Sequence, residues 1–279
     1  MAPSLVALLD RLCAHAATPD DTRVLLVCAH PDDDVIGAGT RLLRLPRAIV
    51  AYVTDGAPAD MGDATRLGFP TSASYAAARA REAEAALALA GVDASRIVRL
   101  GLVDQEVTPR MAELAPLLAA TFRETAAEVV VTHPYEGGHP DHDATALAVR
   151  LACRVLRAAG EPAPGLVEFA GYHAGGALGI EVQEFLPATG SEVVTARLDA
   201  AERDLKRRML AAHASQQAIL RFVPVDRERF RPAPAYDFRL PPHPGRPFYE
   251  LFLPGWTGER WRRQAGEVLD AAGIMGGPL

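Results

Sequence analysis

Apolar positions follow two alternating rhythms along the first part of the chain. Residues 23–29, 48–54 and 129–132 are short continuous apolar runs, with a shorter one at 97–100, the texture of strands buried on both faces of a parallel sheet. Between them the spacing becomes helical over about residues 35–45, 74–90, 109–127 and 143–159. Gly91 and Gly160 close two of these helices as C-cap glycines, and Thr108 followed by Pro109 reads as an N-cap with proline at the first helical position. A β-α-β-α order implies right-handed crossovers, and such sheets bind ligands outside the carboxyl ends of their strands. The predicted fold class is α/β, a Rossmann-like three-layer sandwich with a mostly parallel sheet.

Beyond about residue 160 the rhythm changes. Residues 166–172 and 180–186 read as further strands, and 198–220 as one long amphipathic helix. Seven prolines between Pro232 and Pro254 forbid regular helix there, so an extended wrap is expected. No clean linker separates the halves. The expected organisation is one domain over residues 1–279, with a parallel core at 1–160 and a C-terminal β/α and proline-rich embellishment at 161–279.

Composition narrows the function classes. The chain has 279 residues, 29 of them Lys or Arg and 35 Asp or Glu, a net charge of −6, which argues against a nucleic-acid partner. No run approaches a membrane span, and the start lacks the basic and long apolar regions of a signal peptide, so a cytoplasmic protein without a membrane partner is expected. Cys13, Cys28 and Cys153 are widely spaced with no C-x-x-C, so any metal must use His and carboxylate. Lys206 is the only lysine, which reads as a bias toward arginine codons.

The chemistry concentrates at two strand ends. His30-Pro31-Asp32-Asp33-Asp34 follows the first strand, and so many ionisable groups at the end of a buried strand are costly unless a cation compensates. His30 and Asp33 form a nitrogen and oxygen pair suited to a divalent ion. The second cluster, from Thr132 to Asp143, follows the fourth strand and contains His133, His139, Asp141 and His142. Both clusters belong to the same sheet edge, so together they supply a third ligand.

These residues resemble the LmbE-like, or PIG-L, family of zinc-dependent N-deacetylases. The match rests on His30-Pro31-Asp32-Asp33 with an acidic Asp34, paired with His139-Pro140-Asp141-His142. Weaker matches are Thr54-Asp55-Gly56, Arg79 with Glu82, Leu102-Val103-Asp104, Lys206 with His213-Ala214-Ser215-Gln216, and Tyr249-Glu250-Leu251-Phe252. The resemblance implies that His30, Asp33 and His142 hold Zn²⁺, with Fe²⁺ as an alternative, and that Asp32 is the general base. It further implies that His139 protonates the leaving amine or steadies the oxyanion, that Asp141 orients an imidazole, and that Arg79 and Asp104 contact sugar hydroxyls. Two His and one carboxylate leave a coordination position open for water, as a catalytic zinc requires. The implied substrate is a small N-acetylated molecule, and a homo-oligomer fits the family. If His139 acts as a protonated acid, Asp141 or its acidic neighbours should raise its pKa. Gly137 stands where some members carry a tyrosine as oxyanion donor, and Tyr135, four residues before His139, is left without a role.

Three rival readings are weaker. Gly37 and Gly39 lack the third glycine of a dinucleotide fingerprint, Leu42 standing there, and Asp32, Asp33 and Asp34 would repel a pyrophosphate. A phosphoesterase would need a second metal and more bridging carboxylates. A non-catalytic metal scaffold would need a closed set of four ligands.

Overall fold

The structure, a computed structural model, describes residues 5–14, 19–176 and 179–279. Its elements in chain order are α1 (Leu5–Cys13), β1 (Val24–Cys28), α2 (Asp33–Gly37), β2 (Ile49–Thr54), α3 (Gly62–Arg66), α4 (Ser72–Leu89), β3 (Ile97–Leu102), α5 (Met111–Glu124), β4 (Val129–Thr132) and α6 (Pro140–Ala158). The second part adds β5 (Gly165–Phe169), β6 (Tyr172–Ala174), β7 (Ile180–Val182), β8 (Val194–Arg197), α7 (Ala200–Ala212), α8 (Gln217–Leu220), β9 (Arg227–Pro232) and α9 (Gly258–Ala271).

Seven strands form one sheet in the order β3-β2-β1-β4-β5-β9-β8. The first five are parallel, and β9 and β8 continue the sheet antiparallel. Because successive side chains of a strand point to opposite faces, Val24, Leu26 and Cys28 of β1 enter one core with Leu8, Leu87 and Met209, whereas Leu25 and Val27 enter another with Leu118, Leu147 and Trp261. Helices therefore cover both faces, giving the expected mostly parallel α/β sandwich. The strand order reverses between β1 and β4, and at such a switch point the two following loops diverge and leave a crevice. Both His-Pro-Asp clusters sit on those loops.

Local signals hold in part. Gly91 and Gly160 follow α4 and α6 with φ of 75° and 74°. Thr108 is not an N-cap; it begins a single 3₁₀ turn, Thr108–Arg110, that leads into α5. The helix expected over 35–45 is interrupted at Ala38, after which Gly39–Arg44 is 3₁₀; two glycines within three residues weaken helix propensity there. The helix expected over 198–220 ends at Ala212, because His213 leaves the helical region and Glu82 of α4 takes both the backbone N–H and the hydroxyl of Ser215, at 2.9 and 2.7 Å. The strand expected over 166–172 divides into β5 and β6, and the one over 180–186 stops at Val182, before Gln183 with φ 57°. The proline-rich segment is irregular except for a 3₁₀ turn at Phe248–Leu251. Elements α1, α3, β8, β9 and α9 have no counterpart among those predicted from the sequence.

Candidate metal centre at the sheet switch point

The loop after β1 turns at once into α2, and its backbone aims the side chains. Asp33 Oδ2 accepts the His30 N–H at 2.7 Å, closing the turn. His30 Nδ1 then lies 3.2 Å from His142 Nε2 and 3.4 Å from Asp33 Oδ2, while His142 Nε2 lies 3.1 Å from Asp33 Oδ1. Two imidazole nitrogens and a carboxylate thus converge, although His30 and His142 are 112 residues apart. Lone pairs of two imidazoles facing each other across 3.2 Å need a proton or a cation between them. This donor set fits a divalent metal with an open side.

Among the described residues, three overlapping triads bring their donor atoms within 4.8 Å of one another: His30, His139 and His142; Asp33, His133 and His142; and His30, Asp104 and Asp141. His133 is the functional-site residue to which the sequence reading gave no role. It is fully buried, its Nε2 accepts the Ala29 N–H at 2.9 Å, and its ring stacks on His142 at 4.0 Å between centroids. Its position immediately after β4, level with Ala29 after β1, was the available signal.

The other expected residues occupy distinct places. Asp32 Oδ2 accepts from Arg79 Nη2 at 2.9 Å. Arg79 also donates to the Gly56 carbonyl at 2.6 Å and the Pro31 carbonyl at 3.1 Å, so it does not pair with Glu82 along its own helix. Burial pushes Asp32 up to about 7 even though Arg79 opposes the shift. Burial also works to raise Asp33, but His142 and His133 hold it well below the usual carboxylate range. His142 is pushed down to about 3 by burial. Asp104 Oδ1 lies 3.0 Å from His30 Nε2, off the line of a hydrogen bond; burial would raise Asp104 and lower His30, but their mutual attraction moves both the other way.

Asp141 is fully buried and does not line the cavity. Its oxygens accept the backbone N–H groups of Gln105 at 2.6 Å and Val107 at 3.3 Å, and Oδ2 is 3.5 Å from His30 Nε2. It therefore braces the loop after β3 as well as an imidazole. His139 is the N-cap of α6, and its Nδ1 accepts the Asp141 N–H at 3.2 Å. The expected rise in its pKa is not found: burial, followed by His30 and His142, holds His139 well below the usual histidine range. Because Nδ1 accepts, the neutral form favoured by that shift carries its proton on Nε2.

Asp34 is fully buried, accepts from the Tyr52 hydroxyl at 2.9 Å, and is pushed up to about 7 by burial. Tyr135 is no part of the centre. Its hydroxyl donates to the Leu240 carbonyl at 2.9 Å and its ring stacks on Trp261. Gly137 could not readily carry a larger residue, since its φ is 71° and a Cβ would meet Pro247 at 3.2 Å. Lys206 is buried and donates to the Ile36 carbonyl of α2 and to Glu228, each at 3.1 Å, which ties α7 to the helix that begins at Asp33. His213 is buried with neither ring nitrogen partnered, and Gln216 donates to Tyr75 at 2.7 Å. Of the histidines expected to be ordinary, His173 is buried with Nδ1 2.8 Å from the Ala174 carbonyl, His243 is half-buried, and His15 lies outside the described residues.

An open cavity of about 620 Å³ leads to the centre, lined by His30, Asp32, Asp33, Arg79, Asp104 and His139, with Tyr172, Gln216, Ile219 and Phe252 among the residues farther out. A slightly larger cavity, about 680 Å³, opens beside Arg150, Arg154 and Arg157 but has no His, Asp or Glu side chain in its wall. Convergent chemistry, rather than size, locates the site.

Comparison with known proteins gives the family and the fold. Residues 25–153 match the family model described as GlcNAc-PI de-N-acetylase, PIG-L. A 1D-myo-inositol 2-acetamido-2-deoxy-alpha-D-glucopyranoside deacetylase of Salinispora arenicola is 31% identical over 71% of this chain and 77% of its own length. Among solved structures, the A40926 pseudoaglycone deacetylase aligns with a TM-score of 0.57 at 21% identity, over 76% of this chain and 97% of that one. The N,N'-diacetylchitobiose deacetylase of Pyrococcus horikoshii aligns with a TM-score of 0.53 at 22% identity, over 83% and 94%. These two structures share the fold.

Proposed function

The chain belongs to the PIG-L, or LmbE-like, family, and from that premise we propose that it is a metal-dependent N-deacetylase acting on a small N-acetylated amino sugar or related amine. The observation that carries this reading is the convergence of His30, Asp33 and His142 within 3.1–3.4 Å beside an Asp32 held by Arg79. Those three residues would hold the ion, Zn²⁺ in our proposal and Fe²⁺ as the alternative. When bound, the ion would acidify a water and polarise the amide carbonyl.

The chain's own groups divide the remaining work. Asp32 accepts the proton of the attacking water and returns it to the leaving nitrogen; its position near neutrality, at about 7, suits both transfers. Arg79 fixes the carboxylate by its 2.9 Å bond and keeps a charge near the reacting group. His139, neutral and protonated on Nε2, donates a hydrogen bond to substrate rather than a proton. Asp141 positions His139 and His30 by holding the backbone around them. We retain Asp104 as a contact to sugar hydroxyls, since it lines the cavity, whereas the bonds of Arg79 to Asp32 and two carbonyls leave it to position Asp32 rather than to bind sugar. The same reading treats residues 1–279 as one functional unit, because Tyr172 and Phe252 of the C-terminal part also line it.

Among the described residues no helix is long and apolar enough to cross a membrane. Metal-loaded protein incubated with a panel of N-acetylated amino sugars and simple N-acetyl amines tests the proposal. Acetate release that disappears with a chelator and returns with Zn²⁺ is expected. Stoichiometric metal with no amide cleaved would instead favour a metal scaffold.

A further inference from the structure

Attack on an amide carbonyl leaves negative charge on its oxygen, and a hydrogen-bond donor already aimed at that charge lowers the barrier. Most polar groups lining the cavity cannot serve. Asp32, Asp33 and Asp104 are acceptors, Arg79 is committed to Asp32 and two carbonyls, and the Gln216 amide donates to Tyr75 and Ser215. Arg66 is an exposed rim residue paired with Asp63.

Tyr172 is different. It lines the cavity with His30 and Asp33, and its hydroxyl has no hydrogen bond to any described residue. Its ring lies 5.2 Å from the His142 ring at 63°, whereas His139 packs on His30 at 4.5 Å, so the two donors flank different members of the converging set. The backbone holds it there. A Cβ on Gly138 would come 2.1 Å from the Tyr172 carbonyl oxygen, so the loop after β4 packs directly against it. The neighbouring Gly171 carbonyl accepts the Gln183 N–H at 2.7 Å, and the Gln183 side chain bonds the Ile36 carbonyl of α2. Tyr172 is thus fixed relative to both catalytic loops.

We propose that Tyr172 is a catalytic residue whose hydroxyl donates to the amide oxygen as that oxygen gains charge. This rests on the deacetylase reading above. The test compares wild type and Tyr172→Phe in bound metal, melting temperature, kcat and KM on an N-acetylated amino sugar that the wild type cleaves. It also compares their affinities for a phosphonamidate analogue of that substrate and for the product amine.

Removing a hydroxyl that bonds no described residue should leave metal content and melting temperature unchanged. kcat should fall about 10²-fold or more at constant KM. Analogue affinity should fall by the same factor while amine affinity holds. Undiminished kcat, or a fall that follows lost metal, overturns the assignment of Tyr172 and leaves the deacetylase reading standing. A wild type that releases acetate from no N-acetylated compound overturns that reading, and the Tyr172 assignment with it.

Discussion

The loops after β1 and β4 spell nearly the same words, His30-Pro31-Asp32-Asp33-Asp34 and His139-Pro140-Asp141-His142-Asp143, yet equivalent letters do different things. In the first loop the helix begins after Asp32, which occupies the N-cap position but makes no capping bond, so its carboxylate is free to meet Arg79 at the cavity. In the second, the helix begins two residues earlier in the motif: His139 is the N-cap and Pro140 the first helical residue. Asp141 is therefore carried into the first turn and buried against the Gln105 and Val107 backbone. The fourth positions also differ, Asp33 being the first residue of its helix and His142 the third of its own, yet both end on the same set of donors. A shift of two residues against the helix start thus separates a carboxylate at the cavity from one buried against backbone.

Substitutions can break this comparison, and the largest effect is expected at the converging donors. His30→Ala, Asp33→Ala and His142→Ala should each remove most bound metal and nearly all turnover, as metal analysis of the purified variants would register. Retention of one equivalent by all three would discard the ligand set.

Next in size is Asp32→Asn. It should retain metal and fold while kcat falls about 10²–10⁴-fold, the usual cost of a lost general base. Turnover close to wild type would remove Asp32 from the mechanism and erase the contrast with Asp141.

His139→Ala should lower kcat by about 10²-fold, as for a lost hydrogen-bond donor, and by the same factor across the pH range. The sign follows from its depressed pKa: a ring already neutral through the working range loses no proton there, so the basic limb of kcat/KM belongs to another group. A variant in which that limb vanishes would restore His139 as a protonated acid.

The smallest effect on chemistry is expected at Asp141→Asn, with the larger part in stability. Weakening an acceptor for two backbone N–H groups in a fully buried site should cost about 1–3 kcal/mol, measured by denaturant unfolding of the metal-loaded protein. Loss of turnover as deep as in Asp32→Asn, with stability intact, would show that the two aspartates act alike after all.

Trp261 illustrates what a reading of sequence misses. Its indole N–H donates to the Pro140 carbonyl at 3.0 Å, clamping the start of α6 from a helix near the end of the chain. Nothing local to residues 258–271 announces that contact. Likewise, the Arg79–Glu82 spacing is a sound helix pair by itself, but Asp32 claims the arginine and Ser215 claims the glutamate.

What the sequence determined by itself is what depends on neighbours along the chain. Runs of buried-strand residues, helix-closing glycines and two acidic, histidine-bearing turns after β1 and β4 are local properties, and a parallel β-α repeat brings those turns to one edge by topology alone. The tertiary structure decided which carboxylate faces the cavity, which groups bury His139, that His133 packs on His142 and Tyr172 lines the cavity, and that β9 and β8 extend the sheet. Each of these outcomes is set by burial and by partners far along the chain, as with Asp32 and Arg79 or Ala29 and His133, 47 and 104 residues apart, which local propensity cannot specify.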